Sequence, residues 1–157
     1  MQKITPCLWF DSNAEVAVEF YTSVFKDSGI SAITSYGKGA PMAEGTAMTI
    51  SFMLDGQQFL ALNGGPIFTF SPAISFIANC ISQEDIDHLW EQLSEGGESG
   101  QCGWLKDKFG ISWQIVPSAL GEMLSIATPE QSQRIMTAVL QMEKLDLHRL
   151  EQAFKNG

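Results

Sequence analysis

An apolar stripe that occurs twice, 69 positions apart, constrains this chain more than any other feature. Ile86, Leu89, Trp90 and Leu93 recur at i, i+3, i+4 and i+7, and subtracting 69 lays them on Ala17, Phe20, Tyr21 and Val24. The same shift carries the capping residue Ser82 onto Asn13, and Ser12 to Glu15 also has the spacing of a capping box. Each stripe stands in the same company. ITPCLWF (4–10) and AISFIANCI (73–81) read as strands ahead of the two helices; Pro6 is tolerated at a strand start. After the first helix come a weak strand near 30–36, a Gly/Pro loop, and TAMTISFML and QQFLAL joined by Asp55-Gly56, a hairpin signal. Gly96-Gly97 stops the second helix, and CGWLKD and ISWQIVP follow around a DKFG turn. The pattern predicts a βαβββ module used twice, an α+β fold with module one at about 3–64 and module two at about 72–117.

Beyond Pro117 the pattern changes. Ser118 opens a short helix, and Thr128-Pro129-Glu130-Gln131 supplies a cap, a proline at the first helical position and a capping-box glutamine. Ile135, Ala138, Val139 and Met142, then Leu147, Leu150 and Phe154 beyond an Asp146 cap, make a helical tail over about 118–155. Its apolar face must cover the sheet or a second subunit. A chain of 157 residues, 45% of them apolar, suffices for one full core, so a single domain over 1–157 is expected.

Nine basic against eighteen acidic side chains leave a net charge of −9, the wrong sign for nucleic acid or an anionic membrane surface. No apolar run approaches the roughly 20 residues of a bilayer span, and no signal-peptide pattern opens the chain, so a cytoplasmic protein is expected. Cys7, Cys80 and Cys102 are too widely spaced for a metal clip and odd in number, which fits reduced thiols. His88, among the acids of the second helix, and His148, in the tail, read as solvated.

The strings ITPCLWFDSNAEVAVEFYTSVF, FLALNGGP and GQCGWLKDKFGISWQIVPSAL, with the doubled module, resemble the vicinal oxygen chelate superfamily of glyoxalase I and bleomycin-resistance proteins. Within it they are similar to the PhnB-like branch that carries the 3-demethylubiquinone 3-methyltransferase-like label. The resemblance implies two modules curving into a cup, built as a homodimer, with a small molecule inside. The label itself fits poorly, because a typical methyl-donor site needs a Gly-rich turn at a helix N-terminus after a parallel strand, and no GxGxG follows a strand here.

In metal-using relatives, four inward side chains hold a divalent ion. The resemblance places those positions near Thr5, Ala61 and Ser75 and at Gln114, the first three open to a one-residue slip. This set offers no anionic donor, where divalent transition metals take imidazole, thiolate or carboxylate, so no metal and no cofactor are expected.

Strand parity then assigns the lining of the cup: Thr5, Cys7 and Trp9; Phe59, Ala61 and Asn63; Ser75, Ile77 and Asn79; Ser112, Gln114 and Val116. Trp9 and Trp104 are platforms for a flat ligand or else core residues, Cys102 is a thiol near the mouth or else inert, and Asp107 forms the turn before Phe109-Gly110. Such a wall suits a small neutral or weakly charged molecule held by a few hydrogen bonds, with the acidic surface steering a cationic one. The expected function is small-molecule binding. One alternative is a metal-independent or atypically metallated enzyme working through Cys7 or Cys102, Asn63 and Gln114. The other is a dimerisation module whose cup is filled by its own side chains.

Overall fold

The computed structural model describes residues 2–156, which divide into two compact units that part between Phe70 and Ser71. In the first unit, β1 (Cys7–Phe10), α1 (Ala14–Val24), β2 (Gly29–Ser35), β3 (Ala47–Leu54) and β4 (Gln57–Asn63) follow in order. They form a sheet ordered β1-β4-β3-β2, with β1 parallel to β4 and the other pairs antiparallel. Asp55 and Gly56 turn β3 into β4 with φ of 47° and 81°, the left-handed pair that a two-residue hairpin requires. Leu8, Phe10, Ile50, Phe52, Phe59 and Ala61 are buried on one face of this sheet. Ala17, Val18, Tyr21 and Val24 of α1 are buried with them, and α1 packs on β3 and β4. Each fully buried large side chain among these contributes about 1.5–3 kcal/mol.

The second unit repeats the connectivity: β5 (Ser75–Cys80), α2 (Gln83–Ser94), β6 (Glu98–Ser99), β7 (Trp104–Lys106) and β8 (Ser112–Pro117). Its sheet is ordered β5-β8-β7-β6, with β5 parallel to β8. The chain is an α+β protein of two βαβββ modules, as the 69-residue offset predicts. The copies differ at one edge, where β6 has two residues and β2 has seven. Ala78, Cys80, Leu105, Trp113 and Ile115 are buried on the face toward α2, whose Ile86 and Leu93 are fully buried. The DKFG turn closes on Asp107: its Oδ1 accepts from the N–H groups of Phe109 (2.8 Å) and Ile111 (3.1 Å), and Oδ2 accepts from Trp113 Nε1 at 2.9 Å. This is the turn role expected of Asp107, with Trp113 facing the helix.

Three helices complete this unit: α3 (Ser118–Ile126), α4 (Pro129–Leu140) and α5 (Leu147–Lys155). The local signals were sound. Thr128 and Gln131 cap reciprocally, with Thr128 Oγ1 accepting from Gln131 N at 3.2 Å and Gln131 Oε1 accepting from Thr128 N at 2.9 Å, and Asp146 Oδ1 caps α5 at Arg149 N, 3.0 Å. Met123, Ile135, Val139, Met142, Leu145 and Leu150 form a second buried cluster. It is tied to the module by backbone bonds from Cys102 N to Met142 O and Gly103 N to Glu143 O, both 2.8 Å, and by Gln83, which bonds Leu147 N and Leu145 O. The tail thus packs on its own module.

Candidate functional site

In each unit the helix covers one face of the sheet and leaves the other uncovered, and strand register assigns side chains to faces. In unit two, cross-strand partners share a face, so Lys106, Ser112 and Ser75 form one row and Trp104, Gln114 and Ile77 the next, with Val116 and Asn79 beyond. Buried Leu105, Trp113 and Ala78 lie on the opposite face. Gln114 Nε2 donates to Ser75 Oγ at 3.0 Å, and Ile77 is 56% exposed beside them. The sequence-derived residues Ser75, Gln114 and Trp104 are therefore brought together on one surface. The half-buried Trp104 ring keeps its indole N–H out of every hydrogen bond among the described residues.

In unit one the uncovered face carries Cys7 and Trp9 of β1, Leu60 and Leu62 of β4, and Thr49 and Ser51 of β3. Thr34 and Thr49 bond through their hydroxyls at 2.5 Å. Trp9 is largely committed: its Nε1 donates to Gly65 O at 2.9 Å, Phe68 meets its ring edge-on at 5.0 Å, and a Cβ on Gly64 would lie 2.3 Å from the ring. Cys7 is exposed, with partial burial raising its thiol above the ordinary value. Thr5 is exposed and precedes β1, because pairing starts only at Pro6, whose carbonyl accepts from Leu60 N at 2.9 Å.

Three expectations require correction. Asn63 does not line the uncovered face: with Phe59 and Ala61 it lies on the helix side, one residue out of the expected parity, and it is fully buried. FLAL is apolar at every position, so its alternation carries no signal for which face turns inward. Asn63 instead caps α1 from across the sheet, its Oδ1 accepting from Ala14 N at 2.9 Å while Nδ2 donates to Glu15 Oε1 at 2.8 Å and Ala47 O at 3.0 Å. The expected cap by Asn13 and the Ser12–Glu15 box do not form; Asn13 makes no side-chain cap bond. Cys102 is likewise not a lining residue, since it sits in a left-handed turn (φ 61°) and packs against the Met142–Leu145 cluster of the tail.

Lys106 was missed, although a residue two places after Trp104 on a strand must share its face. Leu60 and Leu62 were missed for the FLAL reason. Elsewhere, a hollow of about 400 Å³ lies among Glu130, Gln133, Arg134, Thr137 and Ala153. Its Arg134 is held to Ala153 O (2.9 Å) and Phe154 O (3.2 Å) as a cap on α5.

The donor set does not fit the metal that relatives of this fold use. Ala61 faces the helix and Leu60 and Leu62 beside it have no donor atom, Thr5 precedes the sheet, and Ser75 and Gln114 offer only a hydroxyl and an uncharged amide oxygen. Among the described residues, no group of three or more His, Cys, Asp or Glu gathers to hold an ion.

The sequence model of the family described as 3-demethylubiquinone-9 3-methyltransferase matches residues 2–116. The PhnB protein of Bacillus cereus, with the same description, is 37% identical at a TM-score of 0.69 over 74% of this chain and 100% of its own. A protein from Pseudomonas aeruginosa is 20% identical at a TM-score of 0.63, covering 74% of this chain and 98% of its own. The fosfomycin resistance protein FosX of Mesorhizobium loti is 13% identical at 0.55, covering 80% and 99%. These last two likenesses speak for the fold alone. No curated protein matches. The match ends before α3, so the three tail helices lie outside it. By the span of the family match and the 37% identity to the whole Bacillus cereus protein, the chain belongs to the PhnB-like family described as 3-demethylubiquinone-9 3-methyltransferase, and it shares its fold with FosX.

Proposed function

We propose that this protein binds a small organic molecule on the uncovered sheet face of its second unit, without a metal ion and without methyl transfer, as a cytoplasmic homodimer. One observation carries the reading: the Trp104 ring, with its indole N–H unused, stands in one row with Gln114 and exposed Ile77, and Gln114 bonds Ser75 in the row beside them. An apolar plate beside a few directional polar groups is the composition of a small-molecule site. The family's methyltransferase description finds no support in the strand-to-helix turns, Asp11-Ser12-Asn13 and Ile81-Ser82, which lack the glycines that let a backbone approach a nucleotide-like donor. A nucleophilic role for Cys7 is disfavoured too, since partial burial raises its thiol and so reduces the thiolate.

Native mass spectrometry of the full chain purified from its own cells tests this. A dimer carrying an organic molecule and no metal is expected, and Trp104→Ala should purify without that molecule. Bare protein, or a stoichiometric divalent ion, overturns the reading.

A further inference from the structure

Resting on that binding reading, we infer that the guest of this face is an organic anion, a carboxylate or phosphate oxyanion on a flat apolar body, gripped by Lys106. Across β6, β7, β8 and β5, register sets Glu98, Lys106, Ser112 and Ser75 in a single row, and β7 places Lys106 two residues from Trp104 on the same face. The spacing suits such a molecule. Two strand residues span about 7 Å and adjacent strands lie about 4.8 Å apart, so Lys106 and Ser112 stand within one small molecule's length of Trp104. The long Lys106 side chain can thus reach an oxyanion seated over the Ser112 and Ser75 hydroxyls while the ring lies on Trp104.

The polar groups of this row are available. Lys106 has no ion pair among the described residues, and the cross-strand Glu98 is not within bridging distance of it. Ser112 is 4% exposed, yet its hydroxyl has no hydrogen-bond partner among the described residues. Ser75 already accepts from Gln114, which leaves its own proton to donate. An ammonium and two hydroxyls set in one row on three successive strands make an oxyanion subsite, and charge-assisted bonds are the stronger kind. Lys108, by contrast, lies over the Phe109 ring, 5.6 Å from its centroid. The net charge of −9 opposes long-range attraction of an anion, so affinity here comes from contact. This reverses the expectation of a neutral or cationic guest, which overlooked the parity of Lys106.

The experiment titrates the full chain with naphthalene-2-carboxylate and with its neutral isostere naphthalene-2-carboxamide, following the Trp104 indole N–H resonance, alongside the native mass spectrum. The carboxylate should bind at least tenfold more tightly than the amide. Lys106→Met should abolish that preference without weakening the amide, and Glu98→Gln should tighten the carboxylate a fewfold. Equal affinities, an indifferent Lys106→Met, or a copurified neutral molecule overturn the anion inference and leave the binding reading standing. No shift of Trp104 by either probe, together with a bare mass spectrum, overturns both.

Discussion

Asn63→Ala should be among the most damaging single substitutions in the first unit. Asn63 is fully buried and its amide serves three groups: Ala14 N–H, Ala47 C=O and the Glu15 carboxylate. Ala14 and Ala47 are themselves buried at 1% and 7% exposure, so water does not readily replace the lost amide. Each orphaned backbone group costs about 1–3 kcal/mol, and the Ala14 bond doubles as the cap on α1, a role usually worth about 1 kcal/mol. The expected loss is about 3–5 kcal/mol, a large part of the ~5–15 kcal/mol that holds a domain folded. At a urea slope near 2 kcal/mol per molar, the midpoint of the first unit falls by about 1.5–2.5 M, read by circular dichroism together with Trp9 fluorescence. Asn63→Asp sharpens the test. It keeps the acceptor for Ala14 but sets a carboxylate against Glu15 and the Ala47 carbonyl, so its pKa in the folded state is raised. The folded chain then binds a proton more readily than the unfolded one, and the variant should regain stability as pH falls from 7 toward 4. A loss below about 1 kcal/mol for Asn63→Ala, or a variant Asn63→Asp that weakens monotonically with acid relative to wild type, would refute the tertiary-cap account.

Other outcomes follow from local geometry. Gly103 has φ of 84°, and a Cβ there would lie 2.9 Å from Ile115 O and 3.1 Å from Leu145 Cγ. Gly103→Ala should therefore cost about 2–3 kcal/mol and speed hydrogen exchange of the amides that tie residues 102 and 103 to the tail. Among the thiols, exposed Cys7 should be alkylated first, while Cys80, buried and pushed up to about 11 by burial and then by Asp85, should react only on unfolding. Because the unfolded thiol ionises near pH 8.5 and the folded one near 11, stability should fall as pH rises through that window; Cys80→Ala should flatten the decline measured by urea titration at pH 8 and 10.5.

Features whose cause lies within a few residues could be read from the amino-acid order. The capping box of Thr128 and Gln131, the Asp146 cap, the Asp55-Gly56 turn and the Asp107 turn are local hydrogen-bonding and φ/ψ choices, legible in the strings that make them. The doubled module was legible because a helix must bury its stripe wherever it occurs, so Ala17, Tyr21, Ile86 and Leu93 identify it twice. Face assignment succeeded on β8, where Trp113 and Gln114 alternate in polarity, and failed on β4, where Phe59 to Leu62 are uniformly apolar. The tertiary structure alone decided that Asn63 caps a helix 49 positions away, that Cys102 belongs to the tail cluster, and that Lys106 joins two serines in one row. Each depends on which strand lies beside which. That choice is made by the burial of whole faces across the sheet, and no window along the chain contains it.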